Sequence, residues 1–225
     1  MSLRPSPSLY QDRGSRITIN PESEPVSLMD VKRHLRIDDN SDDIVISDQI
    51  IEARSYIENE TNVAMISQTW RLAIDRWPAG GEAWWDGVRE MSITELYRSN
   101  SLQSVIPPRW PLTSITSITT FDEDSTPTSV TTANVFDVDT YRIPGRITLK
   151  RGQTWPIALR ASNAIEIVYV AGYANAAAVP ATMKRAVKQL AAFMYSNRGD
   201  DCDPADAYHK SGAAGIMGQF RAVKI

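Results

Sequence analysis

The chain has 225 residues, of which 42% are hydrophobic and 23% charged, as in an ordinary soluble globular protein with one sizeable domain or two small ones. A net charge of −3 argues against tight non-specific binding of nucleic acid, which usually needs a basic surface. The single cysteine excludes an internal disulfide, and no apolar run approaches the roughly 18 residues that a membrane-spanning helix needs.

The N-terminal part of the chain predicts an arm followed by two helices. Residues 1–25 mix proline, serine and charges without periodicity, so we expect an extended arm that is disordered unless a partner holds it. Helix one is predicted to begin at Ser27, whose hydroxyl can cap it, and Asp30 suits the positive helix end. After an acidic linker, residues 42–62 predict a second helix. Its apolar residues recur at helical spacing: Ile46, Ile50, Ala53 and Ile57.

From Ser67 onward the hydrophobic pattern alternates, which indicates strands. The predicted strands cover residues 70–75, 113–121, 135–138, 146–149 and 164–170, with a turn over 122–127. A long amphipathic helix is predicted within residues 179–199, with Pro180 at its first position and Gly199 just after its end. The last six residues, 220–225, alternate apolar and basic side chains. They suit either a partner's groove or a final strand on the chain's own body.

These elements predict an α+β fold. A lone amphipathic helix cannot bury its apolar stripe, so we expect the N-terminal helices (26–66) and the long C-terminal helix (179–199) to form one helical body. An antiparallel β-rich domain (67–178) is inserted between them. An N-terminal arm (1–25) and a C-terminal tail (200–225) complete the chain.

The acidic linker is the most inviting metal-site candidate. Asp38, Asn40 and Asp42 match the first three ligands of a calcium-binding loop. The sixth position of that loop requires glycine and holds Asp43, and the twelfth requires glutamate and holds Gln49. We therefore interpret the segment as a solvated linker with helix-capping acids, and we expect no metal and no cofactor.

No group of residues predicts catalysis. Cys202 and His209 could form a nucleophile and a base of a small hydrolase, but no third member or oxyanion loop accompanies them. We interpret them as exposed residues of the tail. Trp84 and Trp85 lie in a glycine-flanked segment, and exposed aromatic residues favour a protein interface over sugar stacking here. The chain is therefore not expected to be an enzyme.

Several segments of the chain occur in an order and spacing shared with one family. They are residues 26–38, 67–72, 75–78, 144–147, 152–156, 168–173, 179–180, 195–198 and 220–225. In this respect the chain resembles the head–tail connector (adaptor) proteins of long-tailed phages, prophages and gene transfer agents. Residues 1–25 and 80–104 look like additions to the usual pattern of that family.

The resemblance implies a structural virion protein without enzymatic activity, made in the host bacterial cytoplasm and located in the neck of the virion. It implies a ring of about twelve subunits. The ring would bind under the portal protein, extend the DNA channel and dock tail-side stopper or terminator proteins. It also implies a helical body with an inserted β domain, in agreement with the pattern of elements.

Three groups of residues are candidates for these contacts. A docking tail for the portal or a neighbouring subunit comprises Phe220, Arg221, Val223, Lys224 and Ile225. The candidates for the ring interface are Ile46, Ile50, Lys184, Arg185 and Lys188. The candidates for contact with a tail-side or other partner are Trp84 and Trp85.

The small negative charge of one chain is multiplied in a ring. A negative lumen would repel phosphates, so that genomic DNA passes without sequence-specific binding. A ring with a basic lumen would contradict this hypothesis. The alternative function is a tail or baseplate module that uses the β domain to hold a protein or a glycan. Glycan binding that depends on Trp84 or Trp85 would favour that alternative.

Overall fold

A computed structural model describes residues 13–77, 104–198 and 204–220. These residues belong to two compact units. The β unit contains residues 13–18, 69–77, 104–108 and 112–170. The helical unit contains residues 19–68, 109–111, 171–198 and 204–220. The described part of the chain thus has helices and antiparallel strands, and the predicted α+β class is confirmed.

The β unit is built on two sheets. The strands are β1 (Arg13–Ile19), β2 (Gln68–Ile74), β3 (Ser104–Val105), β4 (Leu112–Phe121), β5 (Pro127–Val130), β6 (Phe136–Asp139), β7 (Arg146–Leu149) and β8 (Ile165–Ala171). One sheet has the order β1-β2-β8-β4-β5, and the other has the order β3-β7-β6. Pairing is antiparallel between β4 and β5, with Ile118 opposite Val130, and β7 pairs antiparallel with both β3 and β6.

Alternate side chains of the strands are buried, as the alternating hydrophobic pattern of the sequence predicts. In β2, Trp70, Leu72 and Ile74 are buried and the residues between them are half-buried. In β8, Ile165, Ile167 and Tyr169 are all fully buried. The strand expected at 135–138 begins at Phe136 instead, because residues 132–135 form a short helix, α3 (Thr132–Val135).

The helical unit contains the remaining helices. They are α1 (Leu28–Leu35), α2 (Asp43–Thr61), α4 (Ala181–Ser196), α5 (Pro204–Lys210) and α6 (Ala213–Met217), followed by a 3₁₀ turn (Gly218–Phe220). As predicted, Ser27 caps α1, its hydroxyl accepting a hydrogen bond from the Asp30 amide at 3.1 Å. Pro180 is the residue before α4 and not its first residue.

One hydrophobic core unites these helices. Its fully or nearly buried side chains include Ile46, Ile50 and Ile57 of α2 and Met183, Val187 and Leu190 of α4. The spacing of these residues along each helix puts them on one face, which is why α2 and α4 pack together. Val26, Val31 and Trp110 complete the core from other segments.

Two terminal segments fold differently from the expectation. Residues 13–19 of the expected arm form β1, which occupies the edge of the five-stranded sheet. Residues 204–220 of the expected tail form short helices whose Tyr208, Ala213 and Met217 are buried in the helical core. The sequence did not predict these helices, because each one has too few apolar residues to give a clear periodic signal.

Residues 109–111 join the helical unit through backbone hydrogen bonds. The Ala64 amide donates to the Trp110 carbonyl at 2.8 Å, and the Gly172 amide donates to the Pro111 carbonyl at 2.9 Å. Gly172 has φ of +118°, and a Cβ atom there would lie 2.3 Å from the Ile66 carbonyl oxygen. Only glycine tolerates this close approach of two backbone segments.

Candidate functional site

A buried lysine of α1 binds the acidic linker and the first residue of α2. The buried Lys32 ammonium lies 2.6 Å from Asn40 Oδ1 and 2.6 Å from Asp43 Oδ1. Of the three ligand candidates of the calcium-type loop, Asn40 therefore already binds the chain's own lysine. Among the described residues, no group of three or more His, Cys, Asp or Glu side chains is placed to hold a metal ion.

Asp42 joins the linker to the C-terminal end of α4. The Tyr195 hydroxyl donates a hydrogen bond to Asp42 Oδ2, and a guanidinium nitrogen of Arg198 lies 3.3 Å from the same oxygen. The hydrogen bond from Tyr195, and then Arg198, lower the pKa of Asp42 below its ordinary value of 3.8. The same contact raises the pKa of Tyr195.

Glu58 is the hub of a buried polar network in the helical unit. Its side-chain oxygens accept hydrogen bonds from the Met65 amide at 2.7 Å, from Gln68 Nε2 at 2.8 Å and from Arg54 at 2.9 Å. Arg54 also pairs with Glu24 at 2.7 Å. Burial raises the pKa of Glu58 although Arg54 counteracts it, because desolvation of the carboxylate outweighs the attraction. The network anchors the end of α2 and does not face solvent.

An exposed face of α2 combines acidic and apolar side chains. We call Ile44, Asp48, Ile51 and Glu52 the acidic face. Ile44 is 78% exposed and Ile51 46% exposed. Beside Ile51 lies a pocket of about 240 Å³, lined by Glu24, Val26, Ser27, Leu28, Ser47, Ile50 and Ile51. The two exposed isoleucines therefore add apolar area to a face whose charged residues are acidic.

Helices α1 and α4 carry an exposed basic surface. We call Arg33, Lys184, Arg185 and Lys188 the basic face; Arg33 and Arg185 are exposed, and the two lysines are half-buried. Asp30 of α1 forms an ion pair with Arg33 at 3.6 Å. Its pKa is lowered first by a hydrogen bond from Ser27 and further by the charges of Lys188 and Arg33. The exposed charges of α2 are therefore acidic and those at the surface of α4 are basic, whereas α1 carries both Asp30 and Arg33.

The β unit presents an aromatic residue at a braced hairpin tip. Between β6 and β7, Tyr141 is 99% exposed and Ile143 is 59% exposed. Asp139 accepts hydrogen bonds from the amides of Tyr141 at 3.2 Å and Arg142 at 3.3 Å, and it pairs with Arg146 at 3.1 Å. This tip was not predicted from the sequence, and the signal for a turn there is the Pro144-Gly145 pair ahead of a predicted strand.

The structure corrects two of the ring-interface candidates. Ile46 and Ile50 are 1% and 2% exposed in the core of their own helical unit, so they cannot offer surface to a neighbour. Ile46 and Ile50 belong to the row of apolar residues that recurs at helical spacing and packs into the core. The exposed isoleucines of α2 are Ile44 and Ile51. Lys184, Arg185 and Lys188 remain available at the surface.

The remaining candidate residues lie in the C-terminal helices or outside the described residues. Phe220 is half-buried and packs on the helical core, so it does not extend freely with the tail. Outside the described residues lie Arg221, Val223, Lys224, Ile225, Trp84, Trp85 and Cys202. His209 is exposed, with its ring 5.7 Å from that of Tyr208.

Comparison with known families gives one match. Residues 25–78 match the family model of the phage gp6-like head-tail connector protein. This segment contains α1, the acidic linker, α2 and β2. No curated protein matches the chain significantly. Among the described residues, no helix is both long and apolar enough to cross a membrane.

Solved structures match over nearly the whole chain. A chain in the neck of an empty gene transfer agent particle, computed with C6 symmetry, is 21% identical with a TM-score of 0.69, covering 94% of this chain and 97% of that one. A chain in the virion of a native gene transfer agent particle is 20% identical with a TM-score of 0.69, covering 94% and 96%. A third chain, from a native neck computed with C12 symmetry, is 21% identical with a TM-score of 0.63, covering 93% and 97%.

The chain is therefore similar in fold to chains in the neck of gene transfer agent particles. The resemblance to head–tail connector proteins that the sequence indicated is confirmed. The family model supports it at the N-terminal segment, and the shared fold extends the similarity to most of the chain.

We expect Glu58→Ala to lower the free energy of unfolding by about 3 kcal/mol, because it leaves Arg54 buried with one acid and removes the acceptor of two further hydrogen bonds. Urea denaturation followed by circular dichroism measures the change. The matched control is Glu52→Ala on the exposed side of α2, expected within about 0.5 kcal/mol of the unmodified protein. Equal effects of the two substitutions would contradict the role of the network.

We expect Tyr195→Phe to raise the pKa of Asp42 toward 3.8, since the first cause of its depression is removed. A depressed pKa contributes stability above the unfolded value, which is lost as the pH falls through the folded value. The stability difference between Tyr195→Phe and the unmodified protein should therefore be present at neutral pH and vanish well below pH 3.8. NMR titration of the Asp42 carboxyl and unfolding at several pH values measure both. Tyr173→Phe is the control and should leave the pKa of Asp42 unchanged.

Proposed function

We propose that this chain is a structural virion protein, a subunit of the head–tail connector (adaptor) ring in the neck of a phage-like particle. The observation that carries the proposal is the similarity of fold, over 94% of this chain, to a chain in the neck of a gene transfer agent particle. The family match at residues 25–78 supports the same function from the sequence.

In this proposal the subunits form a closed ring, and the use of C12 symmetry for a neck that contains a similar chain supports about twelve copies. The helical unit, which contains residues 19–68 and the C-terminal segments 171–198 and 204–220, is the body of the ring. The β unit is the inserted domain. The ring is located in the virion neck after synthesis in the bacterial cytoplasm.

The ring binds under the portal protein and extends the DNA channel. Residues 221–225 are the docking segment for the portal or a neighbour, with Phe220 as its anchor on the helical core. Genomic DNA passes through the lumen without sequence-specific binding, and the net charge of −3 per chain supports passage without adhesion. The role requires neither catalysis nor a cofactor.

Tail-side stopper or terminator proteins dock on the β unit. The braced hairpin tip with Tyr141 and Ile143 supports this assignment, because an exposed aromatic residue on an ordered turn loses little conformational entropy on binding. Trp84 and Trp85 stay candidates for the same contact. The second candidate function, a tail or baseplate module that holds a protein or a glycan, is favoured by the same exposed tip.

Deletion of the gene from its parent phage or prophage is expected to give DNA-packed or leaking heads separated from complete tails, because the joint between head and tail is missing. Electron microscopy of the particles measures this directly. A copy of the gene supplied in trans is the control and should restore joined particles. Normal joined particles without the gene would contradict the connector function and favour the binding-module alternative.

Removal of residues 221–225 is expected to abolish binding to the portal protein, because it takes away both basic residues of the docking segment and leaves Phe220 on the core. Co-sedimentation with purified portal rings measures the binding, and an unchanged unfolding midpoint shows that the helical unit is intact. Arg151→Ala, at an exposed position of the β unit, is the control and should bind normally. Full portal binding by the truncated chain would exclude this docking segment.

A further inference from the structure

Four charged side chains of the two faces lack partners within the described chain. Asp48 and Glu52 of the acidic face form no hydrogen bond or ion pair with any described residue, and the same is true of Lys184 and Arg185 of the basic face. Several other charges of the unit are paired: Lys32 binds Asp43, Arg54 binds Glu24 and Glu58, and Arg198 binds Asp42. Arg33 of the basic face lies 3.6 Å from Asp30. The charged side chains that α2 exposes are thus acidic, and those at the surface of α4 are basic.

The spacing of these charges is the same on both faces. Asp48 and Glu52 are four residues apart on α2, and Lys184 and Lys188 are four residues apart on α4. Four residues of an α-helix span about 6 Å, so each pair is aligned along its helix. Like charges at this spacing repel and weaken a helix. Two basic residues placed opposite two acidic ones would relieve both repulsions at once.

The acidic face points away from the core of its own unit. Asp48 lies two positions from both Ile46 and Ile50, which rotates it by about 200° from these buried residues. The exposed Ile44 and Ile51 flank it and add apolar area. Next to the basic face, Met29 is 63% exposed and precedes Arg33 by one turn of α1. Both faces therefore combine charge with apolar side chains, as interfaces do.

We propose that the acidic face of one copy binds the basic face of the next copy around the ring. The inference rests on the ring of the proposed function and specifies which surfaces form it. A twofold contact that placed either face against itself would oppose like charges, so the charge separation favours head-to-tail contact. Each copy then uses one face toward each neighbour, and the contact repeats until the ring closes.

The test is reciprocal charge reversal in the full-length chain. Asp48→Lys with Glu52→Lys makes both faces basic, and Lys184→Glu with Lys188→Glu makes both faces acidic. Each double variant alone should associate at least about tenfold more weakly than the unmodified chain, because like charges meet at every contact. A mixture of the two variants should assemble again in alternation, giving rings with an even number of subunits. Sedimentation velocity and negative-stain electron microscopy measure assembly.

Matched controls change the same amount of charge elsewhere. Glu123→Lys with Asp124→Lys alters the exposed turn between β4 and β5, and Arg142→Glu with Arg151→Glu alters exposed positions of the β unit. Both controls should assemble like the unmodified chain. Assembly should also weaken as salt rises, since exposed ion pairs are screened. Reversal variants that assemble like the controls would overturn the proposed pairing of faces and leave the ring itself intact.

If the free protein assembles too weakly to observe, disulfide cross-linking tests whether the acidic face contacts the basic face of the next copy. In a Cys202→Ser background, Asp48→Cys combined with Lys188→Cys should give a ladder of oxidised oligomers beyond the dimer. Either cysteine alone should give dimers at most. Absence of the ladder would overturn the pairing of faces. Failure of the unmodified chain to form a ring even on purified portal would instead contradict the proposed function.

Discussion

The helical unit depends on one buried carboxylate. Glu58 binds Arg54 within α2, the Met65 amide beyond the helix and the Gln68 side chain where the helical unit ends. Arg109 donates to the carbonyl oxygen of the same residue at 2.5 Å. A buried ion pair adds little net stability, but losing one partner leaves a desolvated charge. The network therefore fixes where α2 ends and where the chain leaves the helical unit and returns to it.

The same unit treats its other charges in two ways. Charges that determine the fold are paired: Lys32 with the acidic linker and Asp42 with the end of α4. On the surface of α2 the remaining exposed charges are acidic and on that of α4 they are basic, so these two helices have their surface charges sorted by sign. Exposed single charges contribute little to stability, so selection for solubility alone gives no reason to sort them. Sorting by sign has a physical consequence only when another surface approaches.

The two units supply different kinds of contact surface to the proposed ring. The helical unit offers broad faces on packed helices, which suit repeated contact between copies. The β unit offers a narrow tip, where Asp139 binds the backbone of the turn and Arg146, so that Tyr141 is held at the surface. An assembly subunit needs both kinds, since its neighbours in the ring are copies of itself and its neighbours along the channel are different proteins.

Most elements could be predicted from the sequence alone, because the periods of 3.6 and 2 directly reflect which side chains face a core. The start of α1, the body of α2 and strands β2, β4 and β8 follow from such patterns. The helical period already put Ile46 and Ile50 on one apolar face, but only the tertiary structure decided that this face packs inside its own helical unit and not against a neighbouring copy. It also decided the buried role of Glu58 and the inclusion of Tyr208 and Met217 in the core. These depend on contacts between residues distant in sequence, which no local pattern contains.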